Sequence, residues 1–109
     1  MNIINLSEME SKGMPMYDMR RLFNADGAFE NMTFSYIALQ PGLRIPPEGF
    51  SCHDADEYSY FVSGEVFTYS GGEEVTVKAG QATLIPKGEK HWCINRGTEP
   101  CVIICAMLK

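Results

Sequence analysis

From residue 32 onward the sequence is a succession of short runs rich in aromatic and β-branched residues, each stopped by glycine or proline. Residues 32–39 (MTFSYIAL) end at Pro41-Gly42, and a brief extended piece at 43–45 ends at Pro46-Pro47. Residues 57–62 form another strong run. The runs 65–69 and 73–77 flank Ser70-Gly71-Gly72 and predict a tight hairpin. A short run at 82–85 is closed by Pro86-Lys87-Gly88, and runs 91–95 and 101–107 are separated by residues 96–100 (RGTEP). Punctuation this dense interrupts any long helix, because proline lacks the N–H and glycine loses most backbone entropy in a helix. Many short strands with such turns predict an all-β sandwich or barrel.

The first 30 residues are less regular. Residues 6–14 read either as a short helical turn after Ser7 or as irregular chain, and residues 16–23 (MYDMRRLF) mix the helical and strand periods. They are expected to form an N-terminal arm that packs across the barrel or onto a partner subunit. A length of 109 residues suits one domain, residues 1–109.

The formal net charge is -5, and the cations form no cluster beyond the adjacent pair Arg20-Arg21. Nucleic acid is therefore not an expected partner. No apolar run reaches the length of a membrane span, and the N-terminus reads as no signal peptide. A cytoplasmic location is expected. The cysteines Cys52, Cys93, Cys101 and Cys105 form no CxxC pair and read as reduced thiols, by default small buried hydrophobes.

The chain has two histidines, His53 and His91, and both stand in runs that also carry acids or turn signals. Strand alternation places His53, Glu57 and, before them, Ser51 on one face, provided the chain stays extended through Asp54-Ala55-Asp56. His91, Cys93 and Asn95 likewise share a face. One strand pairing would bring His91 opposite the His53–Glu57 group. Two imidazoles and a carboxylate form a set suited to Fe(II), Mn(II), Ni(II) or Zn(II), with positions left open for water or substrate. Each residue also has a plainer reading: His53 at a barrel mouth, Glu57 paired with a lysine or arginine, His91 hydrogen-bonded in a polar core. Ser51, Tyr36, Phe61, Trp92, Cys93 and Met107 are candidates for the pocket around the site, with Phe34 on the face of Tyr36. Asp54, Asp56 and Cys52 are weaker candidates to fill a ligand position. Tyr58, Tyr60 and Trp92 have the opposite parity and are expected to face outward.

Glu57, the six residues 58–63 and Gly64, with His53 four residues earlier, resemble the first motif of the cupin superfamily. Ser51 stands where that motif has its first histidine, and Ile45 where it has its leading glycine. Gly80, Pro86, Gly88, His91 and Asn95 match the second motif at each spaced position. The resemblance covers about residues 43–107. It implies a double-stranded β-helix (jelly-roll) barrel with a divalent metal inside, held here by His53, Glu57 and His91. It also implies a small-molecule ligand and a homodimer. Two functions follow as expectations: a metal-dependent isomerase, lyase or dioxygenase acting on a small polar metabolite of the sugar-acid or keto-acid class, or a non-catalytic binding or sensory module with a weak or vestigial metal site.

Overall fold

A computed structural model describes residues 1–11, 17–23 and 31–109. Among these residues a 3-10 turn, Leu6–Glu8, precedes nine strands: β1 (Asp18–Arg21), β2 (Met32–Leu39), β3 (Arg44–Ile45), β4 (Asp56–Ser63), β5 (Glu65–Ser70), β6 (Glu73–Lys78), β7 (Ala82–Ile85), β8 (His91–Ile94) and β9 (Cys101–Leu108). All pairings among the described residues are antiparallel. They form a five-stranded sheet in the order β1-β2-β9-β4-β7 and a four-stranded sheet in the order β3-β8-β5-β6. Two such sheets packed face to face give the jelly-roll barrel.

The turns explain why the strands stop where they do. Ser70 pairs with Glu73, so Gly71 and Gly72 alone form the β5–β6 turn, with φ of 58° and 89°. A two-residue turn with positive φ at both positions matches the twist of its strands, and glycine adopts it without a Cβ clash. The 3-10 turn begins at Leu6, one residue before Ser7, and the remainder of the 6–14 stretch from residue 12 lies outside the described residues. Part of the N-terminal arm is a true sheet member: β1 pairs with β2 from Asp18↔Ala38 to Arg21↔Ser35.

The core joins the two sheets. Leu39, Phe61, Cys101 and Ile103 from the first sheet meet Val66 and Val77 from the second, all buried. These side chains occupy the inner face toward one end of the strands. Glu57 and Met107 sit farther along β4 and β9 and are opposed in register, so the core floors a space that they wall.

Candidate metal centre

His91 opens β8, and its position is fixed by backbone pairing. His91 and Ser51 exchange two hydrogen bonds, Ser51 N to His91 O at 2.8 Å and His91 N to Ser51 O at 3.0 Å. Gly88 N donates to His53 O at 2.9 Å, which ties the Pro86–Gly88 turn to the segment carrying the other imidazole. Gly88 has φ of +82°, a conformation that L side chains rarely adopt. Glu57 comes from β4 in the opposite sheet. The expected direct strand pairing of His91 with the His53–Glu57 group is therefore replaced by two contacts: Ser51 beside His91 along one sheet, and Glu57 across the barrel.

The three side chains converge. Glu57 Oε1 lies 3.7 Å from His53 Nε2, and Glu57 Oε2 lies 3.8 Å from His91 Nε2. The imidazole centroids are 5.1 Å apart. One donor atom from each residue falls within 4.8 Å of the others. These separations exceed hydrogen-bond length, typically about 2.7–3.2 Å for nitrogen and oxygen. The donor atoms thus face one another without satisfying one another. His91 Nδ1 lies 2.9 Å from the Glu89 carbonyl oxygen. A carbonyl only accepts, so Nδ1 carries the proton in this bond and Nε2 of a neutral ring turns its lone pair to Glu57. Two nitrogen donors and a carboxylate, at spacings that a small contraction would close to metal–ligand bonds of about 2.0–2.2 Å, fit a divalent ion.

The group opens into a cavity of about 430 Å³ within the barrel. Ser51, Phe61, Trp92, Cys93 and Met107 line it as expected. Tyr36 does not. It lies on the other side of β2, in a groove with Ile3, Ile4, Leu22 and Ile104. The inward residues of β2 at the cavity are Ser35 and Ile37, and Phe34 follows Tyr36 to the outside. The aromatic residues of this strand cover the outer face because the inner face bounds a partly polar space. Asp54 and Asp56 also turn away: Asp54 pairs with Lys87 Nζ at 2.9 Å, and Asp56 Oδ1 accepts from Lys87 N at 2.9 Å. Cys52 is exposed.

Tyr17, Ser59 and Cys105 line the cavity and were not expected there from sequence. Their signal was register rather than motif: Ser59 is opposite Cys105, and Cys105 is opposite Ser35. Burial pushes the Cys93 thiol up to about 12, helped by the Glu57 charge, and burial likewise pushes Cys105 up to about 12. Both thiols stay protonated at neutral pH and present weakly polar S–H groups to the cavity.

Asn95 shares the inward parity of His91 and Cys93 yet serves the scaffold. It is fully buried; its Nδ2 donates to Leu39 O and Glu99 O, both at 2.8 Å, and its Oδ1 accepts from Gly97 N at 2.9 Å. One side chain therefore fastens the β8–β9 loop to the end of β2. Trp92 lies nearly parallel to Tyr69 at 6.1 Å, with the Arg44 guanidinium 4.7 Å from its ring, yet it also borders the cavity. Tyr58 and Tyr60 are exposed on the first sheet.

A family model described as the cupin domain matches residues 35–107. Tetracenomycin polyketide synthase protein TcmJ of Streptomyces glaucescens is 28% identical over 69 residues. That match covers 63% of this chain and 45% of TcmJ, so the chain spans less than half the length of this curated relative. A solved structure titled as a predicted oxalate decarboxylase from Thermotoga maritima superposes with a TM-score of 0.83 at 21% identity, covering 98% of each chain. A Cupin 2 conserved barrel domain protein from Salinispora arenicola CNS-205 superposes with a TM-score of 0.77 at 19% identity, covering 100% of this chain and 89% of the other. At these identities the structural likeness speaks to the fold alone.

Proposed function

The chain belongs to the cupin domain family, and on that premise we propose that it holds a divalent metal ion through His53, Glu57 and His91 and binds a small oxygen-bearing metabolite beside it. The observation that carries this reading is the convergence of three donor atoms, one from each residue, that do not hydrogen-bond to one another. Fe, Mn, Ni and Zn all suit the donor set. Such an ion supplies Lewis acidity, polarising an oxygen bound to it. The chain's own groups do the rest. Glu89 O holds the His91 ring in the tautomer that presents Nε2. Phe61 and Ile103 give the cavity an apolar floor. Ser51 leaves the place of a fourth protein ligand to a small hydroxyl, which keeps room beside the ion.

An isomerase, lyase or dioxygenase acting on a sugar acid or keto acid is one form of this function. The observation favouring the other form, a non-catalytic binding or sensory module, is the same Ser51, because three protein ligands hold an ion less firmly than four. The names of the relatives point to different ligands, a polyketide in one case and oxalate in another, and select none here. We place residues 1–109 in one cupin domain, with 1–30 as its N-terminal arm and 43–107 as the motif-bearing barrel. Four free cysteines support a reducing, cytoplasmic location. Exposed Tyr58, Tyr60, Val62 and Leu84 support a homodimer through the first sheet, which light scattering tests.

The deciding experiment is thermal unfolding after EDTA treatment, with Mn(II), Fe(II), Ni(II) or Zn(II) added back. At a concentration 100 times its dissociation constant an ion stabilises the native state by about 2.7 kcal/mol. At least one ion is expected to raise the midpoint for the wild type and to have no effect on Glu57→Gln or His91→Ala. Equal responses from all three proteins would sink the reading.

A further inference from the structure

The cavity wall is informative for what it omits. Among the described residues, no lysine or arginine lines it. Several cations are engaged elsewhere: Arg44 and Arg96 lie over the rings of Trp92 and Phe67, Arg20 binds Asp18 and Leu6 O, and Lys87 pairs with Asp54. Arg21 comes nearest: it shares the strand parity of Met19, which lines the cavity, lies opposite Ser35 and keeps a buried Nε without a hydrogen-bond partner, yet it is absent from the wall. Proteins recognise carboxylates and phosphates with arginine forks, lysines or helix N-termini. This cavity offers the first two nowhere, and the only described helix is the three-residue turn Leu6–Glu8.

The wall carries the opposite charge. Glu57, Glu73 and Glu89 all line it. A dication set against three carboxylates still leaves the cavity net negative, and low-dielectric walls focus that field. Apart from the two imidazoles, the remaining polar wall groups are mainly hydroxyls, those of Ser35, Ser51, Ser59 and Thr83 among them, above an apolar floor. A hydroxyl both donates and accepts, so it suits hydroxyl and carbonyl oxygens without demanding a charge. The volume of about 430 Å³ is on the order of fourteen waters at about 30 Å³ each, room for one or two rings.

We infer that the cavity selects an uncharged molecule of one or two rings bearing hydroxyl or carbonyl oxygens and discriminates against carboxylates and phosphates. The inference deepens the proposed function by narrowing its ligand class away from sugar acids and keto acids. It rests on the barrel binding a small molecule but stands independently of the ion.

Matched probes test it: 2-naphthol, neutral at pH 7, and 2-naphthoate, an anion on the same rings, each titrated calorimetrically into EDTA-treated and Zn(II)-loaded protein. The naphthol is expected to bind the EDTA-treated protein at least about tenfold more tightly, a difference of about 1.4 kcal/mol, and to keep its lead after Zn(II) loading. Thr83→Lys should reverse the preference. Glu73→Gln, at an exposed wall position that tolerates the change, should tighten naphthoate binding several-fold and leave naphthol unmoved. Naphthoate binding as tight as naphthol in the wild type, or binding of neither, overturns the inference. Naphthoate affinity lost in Arg21→Met would overturn it too, by assigning Arg21 as a carboxylate partner. Failure of ion stabilisation with naphthol still bound would sink the metal reading alone.

Discussion

Replacing Asn95 by alanine removes three hydrogen bonds at once and touches none of the three proposed metal ligands. The partners left behind differ in cost. Leu39 O is a buried acceptor, and stranding it costs about 1–3 kcal/mol. Glu99 O and Gly97 N are partly accessible and can turn to water, so each loses only the net value of a bond, about 0.5–1.5 kcal/mol. The sum is about 2–6 kcal/mol, a large share of the 5–15 kcal/mol typical of a domain. For a chain of this size that lowers the unfolding midpoint by roughly 8–30 °C, at about 4–5 °C per kcal/mol. The assay is urea unfolding with thermal melts, run beside ion binding. Asn95→Asp should be no better at neutral pH: it keeps the acceptor toward Gly97 but sets a carboxylate against two carbonyl oxygens. A loss below about 1 kcal/mol for Asn95→Ala would refute the reasoning. Retained stability with abolished ion binding would show that Asn95 acts on the site instead.

Gly64→Ala should be severely destabilising, because an added Cβ would meet Pro100 O at 2.6 Å and Cys101 Cα at 2.8 Å, at a residue with φ of +74°; a loss above about 2 kcal/mol is expected in urea unfolding. Ser51→His should place a third imidazole beside His91, its partner in the backbone bridge, and tighten Zn(II) binding by about tenfold or more, as read by competition with a chelating dye. At pH 8 a thiol reagent should modify exposed Cys52 rapidly and Cys93, Cys101 and Cys105 only after unfolding. The buried thiols also set a pH dependence. Burial raises Cys93 and Cys105 from 9.0 to about 12, so above pH 9 the unfolded chain binds fewer protons than the native one. Their contribution is complete below pH 9 and is lost as pH rises toward 12, at up to about 1.4 kcal/mol per pH unit for each thiol; a urea midpoint unchanged between pH 8 and pH 10.5 would contradict this.

Strand positions after residue 32 were legible because glycine and proline mark their ends and the β5–β6 turn fits only two glycines. The converging trio was legible because alternation and spacing both act over a few residues. Tyr36 was misplaced for a physical reason: aromatic residues usually mark the buried face, but β2 turns Ser35 toward a cavity that is itself partly polar. The opposition of Glu57 and His91 across two sheets was beyond alternation, which reports the face of a strand and not the sheet it joins. β1 was equally hidden, since four residues carry little periodic signal and its pairing with β2 is a tertiary event. The roles of Asn95 and Ser51 separate in the same way. Both stand in motif segments, but only the contacts distinguish the residue that ties loops from the one that stands beside an imidazole.

His91 and Glu57 reside on opposite sheets, and this gives the site a mechanical side. An ion gripped by both would bind the folded barrel and not the unfolded chain, so its binding free energy would add to the cohesion of the two sheets. Chelation would then do more than empty a pocket. It would release a staple between the two sheets of the barrel, at the end away from the Leu39–Val66 core.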